Sequence, residues 1–319
     1  MTICAIPSPS ISQITFGPIT LRFYALSILA GALVAIWIAN RRWKREGGDF
    51  NQILDIALVS LPMGIVGARL YHVITTPEKF FGANGDFLEI FRIWNGGLGI
   101  WGGVILGSLA ASAFCAYRKY PISLLADCAA PALLVAQGIG RLGNWFNQEL
   151  YGAPTKLPWG LKLNYSASNA IGHAERCYDG LTCPEGTLFH PTFLYEMLWN
   201  FAGAALLICF SKALKSKLKS GSEFVLYVMW YTAGRMWIEA LRIDFSHTFL
   251  GVRINVWVSI AIFIASIIVF VILQNSKKSR ANLVNRLIDI TAYERERELQ
   301  SKAKMVSKNE AKEESKLNS

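Results

Sequence analysis

Residues 131–152 read PALLVAQGIGRLGNWFNQELYG, an apolar run that changes at Gly140 into a stretch rich in polar side chains. The polar part, residues 140–152, contains an arginine, two asparagines, a glutamine and a glutamate. At the edge of a membrane such groups are costly unless they bind one another or a ligand. The junction therefore predicts a membrane helix that ends at Gly140 in a polar site. We expect the glycines around that site to form a loop or a re-entrant turn.

The composition favours a membrane protein over a soluble one. Of the 319 residues, 53% are hydrophobic and only 17% are charged, whereas soluble domains are usually about a quarter charged. A helix of about 20 apolar residues crosses a bilayer, and seven segments of the chain are of that kind. We predict an all-α integral membrane protein with seven transmembrane helices. The predicted spans are approximately residues 19–39, 51–75, 98–117, 122–140, 190–210, 222–241 and 254–273.

Lysine and arginine are unevenly distributed among the connections, which predicts the orientation. The first 20 residues contain neither, whereas the connection after the first span and the C-terminal tail are rich in both. We therefore predict an N-terminus outside the cell and a cytoplasmic C-terminus. Residues 1–275 would form the membrane domain, with an outer loop at about 141–189, and residues 276–319 a basic, flexible tail. The net charge of +10 is explained by this flanking charge, and no nucleic-acid partner is expected.

Cys177 and Cys183 lie six residues apart in the predicted outer loop, in CYDGLTC. A disulfide can persist outside the cell, so this pair is a candidate for a small structural disulfide. With four histidines in the chain and no CxxC pattern, neither a metal nor a cofactor is expected.

The ionisable side chains of the predicted spans concentrate at one depth, near the outer face, and only Asp55 and Asp127 lie toward the inner side. Tyr231, Arg235 and Glu239 recur every four residues, so they share one helix face. The five arginines at this level outnumber three glutamates; they are Arg22, Arg69, Arg141, Arg235 and Arg242, with Glu149, Glu196 and Glu239. Because a guanidinium matches phosphate oxygens, the excess predicts an anionic ligand. A self-neutralising structural network is the alternative.

The polar stretch GRLGNWFNQELYG closely resembles the signature of the bacterial prolipoprotein diacylglyceryl transferases. Other segments resemble that family in the same order along residues 15–275. They are RFYAL (22–26), GARLYH (67–72), IWNGGLGIWGG (93–103), HPTFLYE (190–196) and YTAGRMWIEALR (231–242).

The resemblance implies a multi-pass enzyme of the bacterial cytoplasmic membrane with its active site toward the outer leaflet. Such an enzyme transfers the diacylglyceryl group of phosphatidylglycerol to the lipobox cysteine of a prolipoprotein signal peptide. The product is a thioether, and glycerol-1-phosphate is released. No cofactor is implied. A permease or flippase for an anionic lipid or small molecule is the alternative, although it would be expected to carry polar groups through its whole depth.

The resemblance also implies roles for the signature residues. Arg141 would hold the lipid phosphate, Asn144 would bind headgroup hydroxyls, and Glu149 would orient an arginine. Gly152 completes the signature, and Tyr24 in the first span would donate to phosphate oxygens.

In the sixth span, the resemblance implies that Arg235 stabilises the charge that develops on the leaving phosphate. Glu239 would orient Arg235, Tyr231 would donate to the phosphate, and Arg242 would add a further substrate contact.

The chain departs from the family at Trp101, where several relatives have a histidine that is the proposed base. Tryptophan cannot accept a proton. The thiol must still become a thiolate, so either the arginines lower its pKa or another residue is the base. His190 is the remaining candidate; the alternative is a histidine at a helix start that bonds the backbone.

Overall fold

A computed structural model describes residues 5–17, 19–81, 85–93, 96–164, 186–214, 217–244, 246–276 and 279–317. The described residues form eight long helices joined by short strands and turns. The helices are α1 (Phe23–Arg45), α2 (Phe50–Thr75), α3 (Ile100–Arg118), α4 (Ile122–Asn147), α5 (Thr192–Leu214), α6 (Ser222–Leu241), α7 (Ile254–Gln274) and α8 (Arg280–Leu317).

Six of these helices, α1 to α5 and α7, are long and apolar enough to cross a bilayer. This confirms the prediction of a multi-pass integral membrane protein that is built from helices. The sixth predicted span, residues 222–241, is also helical, as α6, but it carries Glu223, Arg235 and Glu239 and is not among the six. That the chain crosses the membrane seven times, and in the predicted orientation, stays a prediction.

The prediction of a loop after Gly140 was wrong, because α4 continues to Asn147 and places the first part of the signature on a helix. Gly138 and Gly143 are packing glycines. A Cβ on Gly138 would lie 2.6 Å from the ring of Phe201, and one on Gly143 would lie 2.6 Å from the ring of Tyr24. The glycines thus admit aromatic side chains against the helix.

The first span also begins later than predicted. Residues Ile19–Arg22 form a strand, β3, that pairs in antiparallel register with β2 (Gln13–Phe16). β-Branched Ile19 and Thr20 suit a strand better than a helix. Arg22 therefore lies opposite Gln13 at the end of a hairpin, and it is not a helical residue.

The chain divides into two compact units, a division that differs from the predicted boundary at residue 275. Unit 1 comprises residues Met1–Ala39 and Ala126–Lys278. This unit contains a four-stranded sheet in the order β1 (Ile6–Pro7), β5 (Leu161–Lys162), β6 (Leu188–Phe189) and β4 (Pro154–Thr155). A second hairpin follows α6, formed by β7 (Thr248–Phe249) and β8 (Val252–Arg253). The apolar core below the sheet consists of Tyr151, Leu161, Leu163, Phe189 and Phe193.

Two tryptophans lock α5 to α6 within unit 1. Trp199 and Trp230 stack with ring centroids 4.4 Å apart, and each indole Nε1 donates to the other residue's backbone carbonyl at 2.9 Å. Gly203 and Gly234 leave the space that these rings fill. These contacts fix the position of α5 relative to α6 near Glu196 and Arg235.

Unit 2 comprises residues Asn40–Leu125 and Ser279–Ser319. Within it α2 and α3 approach closely, with Gly64 of α2 against Gly107 of α3. Residues 280–317 of the predicted tail form one helix whose first half is anchored in this unit, and the flexibility of the tail stays a prediction. Leu287 is fully buried, and Gln52 of α2 donates to Thr291 Oγ1 at 3.1 Å and to Glu294 at 2.9 Å.

Cys177 and Cys183 lie outside the described residues, so their predicted disulfide stays a prediction.

Candidate functional site

Two arginines from different helices share one buried carboxylate in unit 1. Arg141 of α4 binds Glu196 Oε2 at 2.7 Å through Nη2, and Arg235 of α6 binds Glu196 Oε1 at 2.9 Å through Nη1. The side chain of Glu196, on α5, is 6% exposed, while those of Arg141 and Arg235 are 20% and 16% exposed. Glu196 therefore holds the two guanidinium groups next to each other at a site that a ligand can reach.

Asn144 binds Arg141 through Nη1, the terminal nitrogen that Glu196 does not contact. Arg141 Nη1 donates to Asn144 Oδ1 at 3.1 Å, and Asn144 Nδ2 donates to Glu149 Oε1 at 2.8 Å. Glu149 also accepts from Asn147 Nδ2 at 3.3 Å. Glu149 thus acts on Arg141 through Asn144, and both ends of the Asn144 carboxamide bind protein partners; the predicted contact of Asn144 with headgroup hydroxyls stays a prediction.

Glu239 is fully buried, and its two carboxylate oxygens accept hydrogen bonds from four side chains. Its Oε2 atom accepts from Arg235 Nη2 and, at 3.2 Å, from Arg242 Nη1. Its Oε1 atom accepts from Arg253 Nε at 3.1 Å and from Asn255 Nδ2 at 2.8 Å. The expected contact between Glu239 and Arg235 is present. The carboxylate also ties the start of α7 to α6.

Arg242 is engaged by acidic partners on all of its nitrogens. It forms a bidentate pair with Asp244, with Nε–Oδ1 at 2.7 Å and Nη2–Oδ2 at 2.8 Å. Arg253 Nη2 binds the same carboxylate at 3.0 Å. Burial opposes ionisation of Asp244, but the hydrogen bonds and charges of Arg242 and Arg253 outweigh it and hold its pKa below the ordinary value. These contacts favour a structural role for Arg242 over the predicted substrate contact.

The prediction that arginines outnumber carboxylates does not hold for the network that the described residues form. Four arginines face four carboxylates; they are Arg141, Arg235, Arg242 and Arg253, with Glu149, Glu196, Glu239 and Asp244. The alternative of a self-neutralising network therefore describes the formal charge correctly.

Formal neutrality still leaves donors for an anion. A guanidinium has five N–H groups. Among the described residues, Arg141 uses one nitrogen for Asn144 and one for Glu196, and Arg235 uses one for Glu196 and one for Glu239. Both side chains are partly exposed, so the remaining N–H groups can bind phosphate oxygens in a forked geometry.

Gly152 brings the end of the signature against two other helix ends. Its N–H donates to the carbonyl of His190 at 2.9 Å, and it forms an isolated β-bridge with Arg242. A Cβ at this position would lie 2.8 Å from His190 Cβ and 2.8 Å from the Leu241 carbonyl oxygen. Close backbone approach thus accounts for the glycine, which the sequence analysis had grouped with the substrate-binding residues.

Two tyrosines lie near the arginines with hydroxyls available to a ligand. Tyr24, 36% exposed, packs against Gly143, two residues after the signature arginine. Tyr231 precedes Arg235 by one helical turn and stacks on Tyr227 with ring centroids 6.3 Å apart. Within the described part of the chain, no protein partner of either hydroxyl is found. Both can donate to an anion at this site.

His190 immediately precedes the first turn of α5, and its ring meets a tyrosine. Its Nδ1 atom lies 3.2 Å from Tyr195 Oη, which also accepts from Trp159 Nε1 at 3.2 Å. If His190 Nδ1 donates to Tyr195, its Nε2 atom is left as a base; if Tyr195 donates, Nε2 carries the proton and cannot accept one. The backbone of His190 is also bonded, through its N–H to Ala153 and its carbonyl to Gly152.

Arg69, in unit 2, has a role that the sequence analysis did not anticipate. This buried guanidinium donates to four backbone carbonyls of the connection between α2 and α3: those of Glu89, Ile90 at 2.8 Å, Gly96 at 2.6 Å and Gly97 at 3.0 Å. It organises that connection, and its predicted membership of an anion-binding cluster stays a prediction. Trp101 lies at the start of α3 in the same unit and is 49% exposed.

Three residues of the site were missed as functional candidates. Glu196 was counted only as a counter-charge, although its spacing of four from Thr192 and Asn200, all three buried, marks an inward face of α5. Arg253 was counted only for topology, and its contacts depend on a hairpin after α6. Tyr195 was noted in HPTFLYE but was given no role beside His190.

Comparisons with known proteins agree with the signature. A family model described as prolipoprotein diacylglyceryl transferase matches residues 10–272. The phosphatidylglycerol–prolipoprotein diacylglyceryl transferase of Bifidobacterium adolescentis is 63% identical over 294 residues, which cover 92% of this chain and 87% of the relative. The protein of the same name from Bifidobacterium longum (strain DJO10A) is 50% identical over 98% of this chain and 99% of its own length. One from Corynebacterium glutamicum (strain ATCC 13032) is 47% identical over 88% of this chain and 87% of the relative. The chain belongs to the prolipoprotein diacylglyceryl transferase family.

Proposed function

We propose that this protein transfers the diacylglyceryl group of phosphatidylglycerol to the lipobox cysteine of prolipoproteins. The relatives are named for this activity over nearly the whole length of the chain. The structural observation that carries the proposal is the pair Arg141 and Arg235, which Glu196 holds together with unused N–H groups at an accessible position.

In the proposed reaction the cysteine sulfur attacks the glycerol carbon that bears the phosphate. A carbon–sulfur bond forms, and the bond between that carbon and the phosphate oxygen breaks. The electron pair leaves with glycerol-1-phosphate, and the thiol proton is transferred to the leaving phosphate or to a base. Negative charge therefore increases on the phosphate as the bond breaks, and preorganised guanidinium donors stabilise that charge most in the transition state.

The protein contacts divide the predicted residues into two groups. Arg141 and Arg235 bind the phosphate, with the Tyr24 and Tyr231 hydroxyls as further donors. Asn144, Glu149, Glu239 and Arg242 act as positioning residues, because their polar atoms bind protein partners in the network. Gly152 keeps the signature loop close to α5 and α6.

The cysteine must be deprotonated before or during attack. We propose that the two partly exposed arginines, Arg141 and Arg235, favour the thiolate by their charge. His190 accepts the proton if its Nδ1 atom donates to Tyr195, which leaves Nε2 as the base. This assignment supplies a base in a chain that has Trp101 at the usual histidine position.

The partners follow from the same chemistry. They are phosphatidylglycerol and the signal peptide of a translocated prolipoprotein, both of which are present at the outer leaflet of the bacterial cytoplasmic membrane. We propose that the arginine pair faces that leaflet, in agreement with the distribution of lysine and arginine among the connections.

The test uses the purified full chain in detergent with phosphatidylglycerol and a peptide that contains a lipobox cysteine. Peptide mass and glycerol phosphate release are followed together. We expect one diacylglyceryl unit per peptide and a requirement for the cysteine. Arg141→Ala and Arg235→Ala should each abolish transfer, whereas Arg92→Ala, at an exposed pair in unit 2, serves as the control that retains it. Near-normal transfer by either site variant would contradict the phosphate-binding role.

A further inference from the structure

A second polar layer lies one helical turn away from the arginine pair, within unit 1. Gln137 precedes Arg141 by four residues on α4, Asn200 follows Glu196 by four on α5, and Tyr231 precedes Arg235 by four on α6. One turn of helix advances about 5.4 Å along the axis.

The three helices converge on the same side of the arginine pair, so these residues belong to one layer. One turn further along, Leu134 of α4, Ala204 of α5 and Tyr227 of α6 pack in a single apolar cluster. Between that cluster and the arginines, Gly138 of α4 meets the ring of Phe201 on α5. Gln137 and Asn200 are the sequence neighbours of these two contacting residues. The polar layer thus lies between the arginine pair and an apolar interior.

Each carboxamide of this layer has a buried atom without a hydrogen-bond partner. Asn200 is 2% exposed, and its Nδ2 atom has no partner within the described part of the chain. Gln137 donates to Tyr227 Oη at 2.9 Å through Nε2, while its Oε1 atom is buried and has no partner there. Buried polar groups are nearly always hydrogen-bonded, so a layer with two such atoms is suited to a polar ligand group.

The chemistry of the layer selects a neutral acceptor. No charged side chain lies at these three positions, which disfavours an ionic group. Asn200 Nδ2 can only donate. The Tyr227 hydroxyl can donate as well as accept, so the Gln137 carboxamide can turn round, accept from Tyr227 and present its own N–H groups. The layer then offers two amide donors, one from Asn200 and one from Gln137. An ester carbonyl matches them, because it accepts hydrogen bonds and cannot donate one.

From this geometry we propose that Asn200 and Gln137 bind the ester carbonyls of the diacylglyceryl group while Arg141 and Arg235 hold the phosphate. The inference rests on the proposed function and adds to it a reason why the transferred group is a diacyl glycerol. The distance of one helical turn corresponds to the step from the phosphate to the glycerol esters in such a lipid. The arginines recognise the headgroup, and the carboxamides recognise the linkage of the chains.

The experiment compares two phosphatidylglycerols with the same headgroup and chain length, one with ester-linked chains and one with ether-linked chains. Ether oxygens lack the carbonyl acceptor. We measure kcat/KM for transfer to the lipobox peptide with wild type, Asn200→Leu and Gln137→Leu. Wild type should prefer the diester lipid by about five- to tenfold for each of the two buried hydrogen bonds that the ether lipid cannot form. Each variant should lose the part of that preference that its own carboxamide contributes, mainly by slower use of the diester lipid.

The matched control is Ser266→Ala on α7, which removes a buried hydroxyl that donates to the Ile262 carbonyl at 2.7 Å. This variant should retain the wild-type ratio between the two lipids. Because the readout is a ratio, a general loss of stability or any intrinsic difference in lipid reactivity does not mimic the expected result.

The outcomes separate the two proposals. If wild type transfers neither lipid, the proposed function is wrong. If wild type transfers both lipids equally, the ester site is wrong while the function stands, and an ordered water is then the partner of the two carboxamides. If wild type prefers the diester and both variants retain that preference, the assignment to Asn200 and Gln137 is wrong. Where one variant does not fold, the other variant still tests its own carboxamide, and equal use of the two lipids by wild type would still contradict the ester site.

Discussion

Replacing Glu196 by glutamine tests whether one carboxylate holds the two arginines of the site. Glutamine has nearly the same shape but no charge, and only one of its terminal atoms accepts hydrogen bonds. In the wild type Glu196 Oε1 accepts a hydrogen bond from Arg235 at 2.9 Å, and Glu196 Oε2 forms an ion pair with Arg141 Nη2 at 2.7 Å. In Glu196→Gln one of the two guanidinium groups therefore meets an NH2 group, and the other keeps a weaker, uncharged acceptor.

The magnitude follows from these contacts. A hydrogen bond to a charged group contributes about 1.5–3 kcal/mol, and removing one partner of a buried ion pair costs about 3–5 kcal/mol. The side chains of Arg141 and Arg235 are 20% and 16% exposed, so water compensates for part of that loss. We expect the free energy of unfolding to fall by about 2–4 kcal/mol. The kcat/KM for transfer should fall by about 10²-fold, because the displaced guanidinium groups no longer match the leaving phosphate.

The assay measures unfolding of the purified protein in mixed micelles, together with transfer to the lipobox peptide. Glu298→Gln is the control, because Glu298 and Lys302 form an exposed pair on α8 with side chains 50% and 70% exposed. That variant should change the unfolding free energy by less than about 0.5 kcal/mol. Wild-type stability and wild-type activity in Glu196→Gln would refute the reasoning, since the arginines would then be held by their other partners.

Three further predictions concern residues around the site and in unit 2. In thermal unfolding, Gly152→Ala should lower the free energy of unfolding by about 1–3 kcal/mol, because the added Cβ would lie 2.8 Å from backbone and side-chain atoms. A Cβ on Gly140 would have nothing within 4 Å, so Gly140→Ala should leave the free energy of unfolding unchanged or raise it by up to about 1 kcal/mol. Arg69→Lys should accelerate hydrogen exchange in residues 85–93, because a single amine cannot replace the guanidinium donors to four carbonyls. The lowered pKa of Asp244 means that its contribution to stability is complete above the unfolded pKa of about 3.9 and is lost as the pH falls through the lower folded value. Asp244→Asn should therefore make the free energy of unfolding less dependent on pH in the acid range. An unchanged dependence would contradict the ion pairs of Asp244 with Arg242 and Arg253.

Much of the helical architecture was accessible from the sequence, because hydropathy is a local property. All seven predicted segments contain a helix, and most helix ends lie within a few residues of the predicted ones. The spacing of Arg235 and Glu239 on one face also needs only the helical period, and their contact is present. The signature identified the family because its residues are contiguous in the chain.

The end of α4 shows where local reasoning failed. Glycines after an apolar run normally indicate a break, and Gly138, Gly140 and Gly143 were interpreted in that way. The helix continues because Phe201 and Tyr24, distant in sequence, occupy the space left by Gly138 and Gly143. Arg69 illustrates the same limit, since the carbonyls that it binds belong to a connection 20–28 residues away.

Composition, helical period and contiguous motifs are enough to identify a helical membrane protein, its helical segments and its family. The choice of partners among the charged residues needs the packed helices: Glu196 joins Arg141 to Arg235, and Arg242 is bound to Asp244. Ion pairs and hydrogen bonds act over about 3 Å, so their partners depend on how distant helices pack and not on spacing along the chain.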